Sequence, residues 1–200
     1  MTAQLLASDV LRNASYSAKQ TMRANAVAVL VAANPKLVQA SPKESSLTAA
    51  AKNIRIELKA AFPGVKFSVK TSRFSMGDSI GVSWTDGPNT DQVNSIVNRY
   101  KAGSFDGMTD CYNYESCAWT DTFGDSKYIS TYRDYSDKML LSVMGRVCRW
   151  LGGMDKTPTV EDYRQGRLWN FKQSGGCDVQ REINVALSRH TYSITRGQSC

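Results

Sequence analysis

The side chains with chemical capacity fall into three groups. Asp106, Asp110, Glu115, Asp121 and Asp125 crowd one stretch of chain, and carboxylates so spaced can coordinate a hard cation such as calcium or magnesium. The D-x-[DN]-x-[DN]-G loop with its terminal Glu is absent, so solvated loop charge is expected, with no metal and no cofactor. The second group is Cys111, Cys117, Cys148, Cys177 and Cys200 with His190, the only histidine. The cysteines form neither a C-x-x-C pair nor an even-numbered framework. Zinc would need scattered ligands, and the cysteines read instead as reduced, mostly buried thiols. A nucleophilic triad usually needs a histidine base, and no motif surrounds His190. G-x-S-x-G, H-E-x-x-H, Walker and dinucleotide fingerprints are also missing, so no catalytic residue is assigned and no enzyme is expected.

The third group is basic. Arg164, Arg167, Lys172, Arg181, Arg189 and Arg196 lie in the tail with Trp169, Phe171 and Tyr192 among them. Guanidinium forks bind phosphates and aromatic rings stack on unpaired bases, which makes this a diffuse nucleic-acid signal. The competing reading has Trp169 and Phe171 anchoring the tail to the core while the arginines stay solvated; the sequence favours it.

The net charge of +7 is unevenly spread. Residues 1–76 carry net +8, residues 77–137 net −6 and residues 138–200 net +5. Two basic flanks thus enclose an acidic middle. Such a field steers partners of opposite sign, or the middle simply neutralises the flanks within one fold.

These side chains need elements to position them. Two hundred residues can bury a core without metal or disulfide staples. No apolar run approaches the roughly 20 residues of a membrane helix, and the N-terminus has no signal-peptide pattern, so a cytoplasmic protein with no membrane partner is expected. A helical stretch is expected from Thr2 to Ala33, broken near Asn13-Ala14-Ser15 and stopped by Asn34-Pro35. Residues 34–46 read as a linker.

Ser46 or Thr48 is expected to cap a helix with Ile54, Leu58, Ala61 and Phe62 on one face. Val65, Phe67 and Val69 alternate with polar residues, as do Ile80, Val82 and Trp84, giving two strands. Asp86-Gly87-Pro88 forms a turn, and Thr90 is expected to cap a helix carrying Val93, Ile96, Val97 and Tyr100. Residues 101–126 read as loop, and Tyr128 to Tyr132 as a third strand. Ser136-Asp137 opens a helix with Leu140, Val143, Met144, Val147 and Leu151 inward, closed by Gly152-Gly153. Thr159 is expected to cap a short helix through Trp169, and Asp178 another with Val179, Ile183, Ala186 and Leu187.

The expected fold class is α+β, with a small, mainly antiparallel sheet covered by helices and helical N- and C-terminal extensions. Its divisions are a helical N-terminal extension over 1–45, an α+β core over 46–153 and a basic, partly helical extension over 154–200.

Ile54-Arg55-Ile56-Glu57-Leu58-Lys59 is followed by Phe62-Pro63-Gly64-Val65-Lys66-Phe67-Ser68-Val69 and Gly77-Asp78-Ser79-Ile80. Val82-Ser83-Trp84-Thr85-Asp86-Gly87-Pro88 and Gly103-Ser104-Phe105-Asp106-Gly107-Met108-Thr109-Asp110 complete the series. With these words in this order, residues 54 to about 135 resemble large polyvalent protein-associated domain 29. The resemblance implies an accessory module of phages and conjugative elements, found within large multidomain proteins and also as short proteins, in company that travels with incoming DNA and blunts host defences. It implies no catalytic residue.

Within these words, Asp86 and Gly87 shape a turn and Trp84 fills the core. Phe105 to Asp110 lies outside any expected element. It is either an internally packed loop or a contact patch of Phe105, Asp106, Met108, Asp110 and Glu115. The leading expectation is therefore a non-catalytic accessory protein of a phage or mobile element. It binds a host defence protein or nucleoprotein complex, of restriction or CRISPR type, and inhibits it by covering its surface. The acidic middle would dock on a basic protein face; the +7 charge excludes a wholly acidic DNA mimic. The alternative is a nucleic-acid-binding accessory protein, taking DNA or RNA through Arg164, Arg167, Lys172, Arg181 and Arg189.

Overall fold

A computed structural model describes residues 18, 20–41, 44–108, 110–115, 117–152, 157–171 and 178–190. The expected helix start and break before residue 18, Lys172, Cys177, Tyr192, Arg196 and Cys200 lie outside them.

The class is α+β. A helix over 20–33 (α1) ends before Pro35, where the Asn34 side chain donates to the Leu30 carbonyl. Then follow α2 (Ser46–Ala61), β1 (Phe67–Phe74), β2 (Gly77–Thr85), α3 (Thr90–Val97), β3 (Gly103–Asp106), β4 (Cys111–Tyr114), α4 (Ala118–Phe123), β5 (Tyr128–Asp134), α5 (Asp137–Leu151), α6 (Val160–Arg164) and α7 (Val179–Arg189). Short 3-10 turns occupy Asn98–Tyr100 and Arg167–Asn170. One sheet has the order β1-β2-β5; β3 and β4 form a separate antiparallel ribbon.

Several expectations of local structure change: neither Ser46 nor Thr48 caps α2, since both lie inside its first turn. Residues 101–126 are not loop but hold β3, β4 and α4, each too short to show a period. Asn89, not Thr90, caps α3. Its carboxamide oxygen accepts the Gln92 N–H at 2.8 Å while the Gln92 side chain accepts the Asn89 N–H at 3.0 Å, a reciprocal capping box. Thr159 does cap α6, but the helix stops at Arg164 because Gly166 turns left-handed at φ 67°; Trp169 falls in the 3-10 turn that follows.

The chain divides into two compact units. The first contains the described residues of 1–56, 70–80 and 97–129. Leu47, Ala49, Ala50, Ala51, Ile54, Ile80, Val97, Tyr100 and Phe123 are buried in it. Asn53 is buried as well and is fully used: its amide donates to the Val38 and Phe123 carbonyls at 2.8 and 2.9 Å, and its oxygen accepts the Val38 N–H at 2.7 Å. This polar clamp fixes the segment after α1 and the end of α4 upon α2.

The second unit contains the described residues of 57–69, 81–96 and 130–200. Leu140, Val143, Met144 and Val147 of α5 share one core with Leu168 and with Val179, Ile183 and Leu187 of α7. At about 1.5–3 kcal/mol per fully buried side chain, this cluster makes the region after 154 continuous in packing with α5. Phe171 packs on the cluster, as the anchoring reading required, but Trp169 is exposed; Leu168 fills the place given to it. Trp84 is buried and donates from Nε1 to the Pro88 carbonyl at 2.9 Å. The turn after it holds Asp86 at φ 58° and Gly87 at φ 63°.

Arg133, on β5, is buried and locks that turn. Its guanidinium donates to the carbonyls of Asp86, Gly87, Leu187 and His190 at 3.3, 2.8, 3.1 and 3.2 Å. Desolvation lowers its pKa, but four carbonyl acceptors hold the cation in place.

Candidate interaction surface

The β3–β4 ribbon belongs to the first unit and is built on Gly103. A Cβ there would stand 1.9 Å from the Asn113 carbonyl oxygen, so only glycine lets the strands approach in this register. Gly103 faces Tyr114, Ser104 faces Asn113, Phe105 faces Tyr112 and Asp106 faces Cys111. Because side chains alternate, Phe105, Tyr112 and Tyr114 share one face of the ribbon and Ser104, Asp106, Cys111 and Asn113 the other.

The aromatic face continues beyond the ribbon. Tyr112 meets Tyr114 edge-on at 4.7 Å between ring centres and Tyr128 at 5.7 Å, and Tyr128 stacks with Phe74 at 6.1 Å. Lys127 binds this string together. Its ammonium lies 5.0, 5.8 and 5.5 Å from the ring centres of Tyr112, Tyr114 and Tyr128 and donates to the Met76 carbonyl at 2.9 Å. Asp78 holds the segment from below, accepting from the Ser126 hydroxyl at 3.0 Å and the Lys127 N–H at 2.8 Å. Burial pushes the Tyr112 phenol up in pKa; Tyr114, Tyr128, Asp125 and Asp78 push it further.

The exposed members are large. Phe105 is 55% exposed, Tyr114 69%, Met76 77% and Met108, at the ribbon tip, 97%. Side chains this apolar gain most from being covered.

The acids named from the sequence take different roles. Asp106 folds back, its carboxylate accepting the Met108 N–H at 2.9 Å, and so shapes the tip. Asp110 closes it at φ 52°, a conformation Asp tolerates better than most residues. Glu115 is exposed just past β4, its N–H bonded to the Ala102 carbonyl at 2.8 Å. Asp121 pairs with Arg23 and Asp125 with the Ser46 hydroxyl. Among the described residues no three His, Cys, Asp or Glu side chains group to hold a metal.

The basic candidates are not brought together. Arg164 donates to Asp137 at 2.6 Å and Arg167 to Asp162 at 2.9 Å. Arg181 is exposed in the first turn of α7, Arg189 in its last, and Lys172 lies outside the described residues. Among the described residues Cys111 and Cys117 are exposed and Cys148 half-buried, which corrects the expectation of mostly buried thiols: Cys111 sits on a two-stranded ribbon and Cys117 at the start of α4. Sequence reasoning missed Tyr112, Tyr114, Lys127 and Tyr128 as a group. The alternation of Tyr112 and Tyr114 was the available signal.

Residues 45–136 match the family model for large polyvalent protein associated domain 29, which covers the ribbon and every element of its aromatic face. No curated protein and no solved structure matches the chain. No helix among the described residues is long and apolar enough to cross a membrane.

Proposed function

We propose that the chain carrying this domain is a non-catalytic accessory protein of a phage or mobile element, and that it docks on a host defence protein of restriction or CRISPR type. The contact is the aromatic face of the β3–β4 ribbon, and inhibition follows from covering the partner's surface. The observation that carries this reading is the unbroken ring string Phe74–Tyr128–Tyr112–Tyr114, with Phe105 and Met108 exposed beside it.

Tyrosine, phenylalanine and methionine are the residues that protein interfaces enrich, and rigid rings lose little entropy on binding. Exposed Asp110 at the ribbon tip and Glu115 just past β4 form a charged rim at its two ends, while Asp106 lies on the face opposite the rings. A rim of this sign favours approach to a basic surface, such as one that holds nucleic acid.

The test is paired affinity capture from host lysate, with the wild-type chain and a Phe105→Ala, Met108→Ala, Tyr114→Ala variant as baits. Circular dichroism first verifies that both are folded. A protein retained by the wild type and lost by the variant supports the reading. Identical captured sets from the two baits reject it.

A further inference from the structure

We infer that a groove in the second unit, lined by Arg146, Ala186, Arg189 and His190, binds the phosphodiester backbone of single-stranded nucleic acid. The groove lies where α5 packs beside α7 and has a volume of about 480 Å³.

Charge is the first argument. Arg146 and Arg189 make no side-chain hydrogen bond or ion pair with the described residues, whereas Arg133, Arg164 and Arg167 all do. Among the described residues, no carboxylate lines the groove. Two guanidinium forks on one concave wall, with an imidazole beside them, form a receptor for tetrahedral oxyanions. The bland reading is that arginines near helix C-termini complement the terminal carbonyls. That accounts for Arg189 and for Arg149, each in a last turn, but not for Arg146, which precedes the last turn of α5.

Helix geometry is the second argument. Trp150 is 71% exposed and follows Arg146 by four residues, so the two lie about 40° apart around α5. An exposed indole on the face of an arginine that pairs with no described residue suits a base stacked beside its phosphate. The other exposed apolar residue of α5, Leu141, lies about 180° from Trp150. The helix therefore has no single exposed apolar face to lay on a lipid surface, which sets nucleic acid above an anionic membrane.

The experiment is fluorescence anisotropy of the full chain with labelled oligothymidylate, with its duplex form, and with vesicles containing phosphatidylserine, each over a salt series. The wild type binds the single strand. An Arg146→Glu, Arg189→Glu variant loses roughly tenfold or more in affinity, and its salt slope falls by about 1.4, the value for two lost phosphate contacts on a single strand. Trp150→Ala weakens binding with an unchanged slope, and Arg181→Glu, elsewhere on α7, leaves binding intact. Four results overturn the inference: no binding by the wild type, equal losses from the groove variant and Arg181→Glu, preference for the duplex, or binding to vesicles alone. None of these touches the ribbon, whose variants are read by protein capture.

Discussion

The hydroxyl of Tyr112 donates to the carbonyl of Lys127 at 2.7 Å, while the Lys127 ammonium stands 5.0 Å from the centre of the same Tyr112 ring. The two residues clasp each other at both ends, and the clasp ties β4 to the chain entering β5. A two-stranded ribbon is marginal in water on its own. The clasp gives this one a support, and so gives its aromatic face a fixed shape.

Tyr112→Phe keeps the ring contacts and removes the hydroxyl bond. It is expected to lower stability by about 0.5–1.5 kcal/mol, read by denaturant unfolding. Tyr112→Ala costs more, because the contacts to Tyr114 and Tyr128 go with it. Equal losses from the two variants would show that the rings contribute nothing.

Alkali tests the same phenol by another route. Burial, then its neighbours, raise the Tyr112 pKa in the folded chain. A group raised on folding stabilises the native state fully below its unfolded value, about 10 for tyrosine, and that stabilisation is lost as pH rises through the higher folded value. Ultraviolet titration should show a late phase holding Tyr112 and Tyr163, whose phenol burial also raises, and Tyr112→Phe should shrink it. An unchanged late phase in that variant assigns it elsewhere.

Gly103→Ala should break the ribbon without unfolding the chain. The new methyl group would meet the Asn113 carbonyl at 1.9 Å, and no rotamer relieves a backbone clash. Amide exchange is expected to accelerate across Gly103–Asp106 and Cys111–Tyr114 while α2 keeps its protection. Unchanged exchange in the ribbon would contradict the register.

Asn53→Ala strands the Val38 N–H and the carbonyls of Val38 and Phe123. A loss of about 1–3 kcal/mol is expected, with a lower unfolding midpoint at unchanged m-value. A loss near zero would mean that water replaces the carboxamide.

Much of the α+β order could be read directly. In α5, Leu140, Val143, Met144 and Val147 repeat at helical spacing between the Ser136 cap and Gly152, so period and punctuation agree. The β3–β4 ribbon could not. Gly103, Ser104, Asp106 and Asn113 are poor strand formers, and the strands pair because their backbones fit. Nothing in the sequence marks Asn53 or Arg133 for burial, because their partners are carbonyls distant in sequence. The tail arginines were counted together from composition, yet Arg164 and Arg167 are occupied by acids, while Arg146 stood outside that count on α5. Phe105 and Met108 were legible as candidates; the tyrosines that complete their face needed the register.

The central claim is that the ribbon's aromatic face holds a protein partner. The most direct measurement is the binding kinetics of a captured partner with the wild type, Phe105→Ala and Tyr114→Ala. We predict that each substitution weakens binding by about 2 kcal/mol or more, roughly thirtyfold, through faster dissociation. Wild-type dissociation rates in both folded variants would contradict the claim.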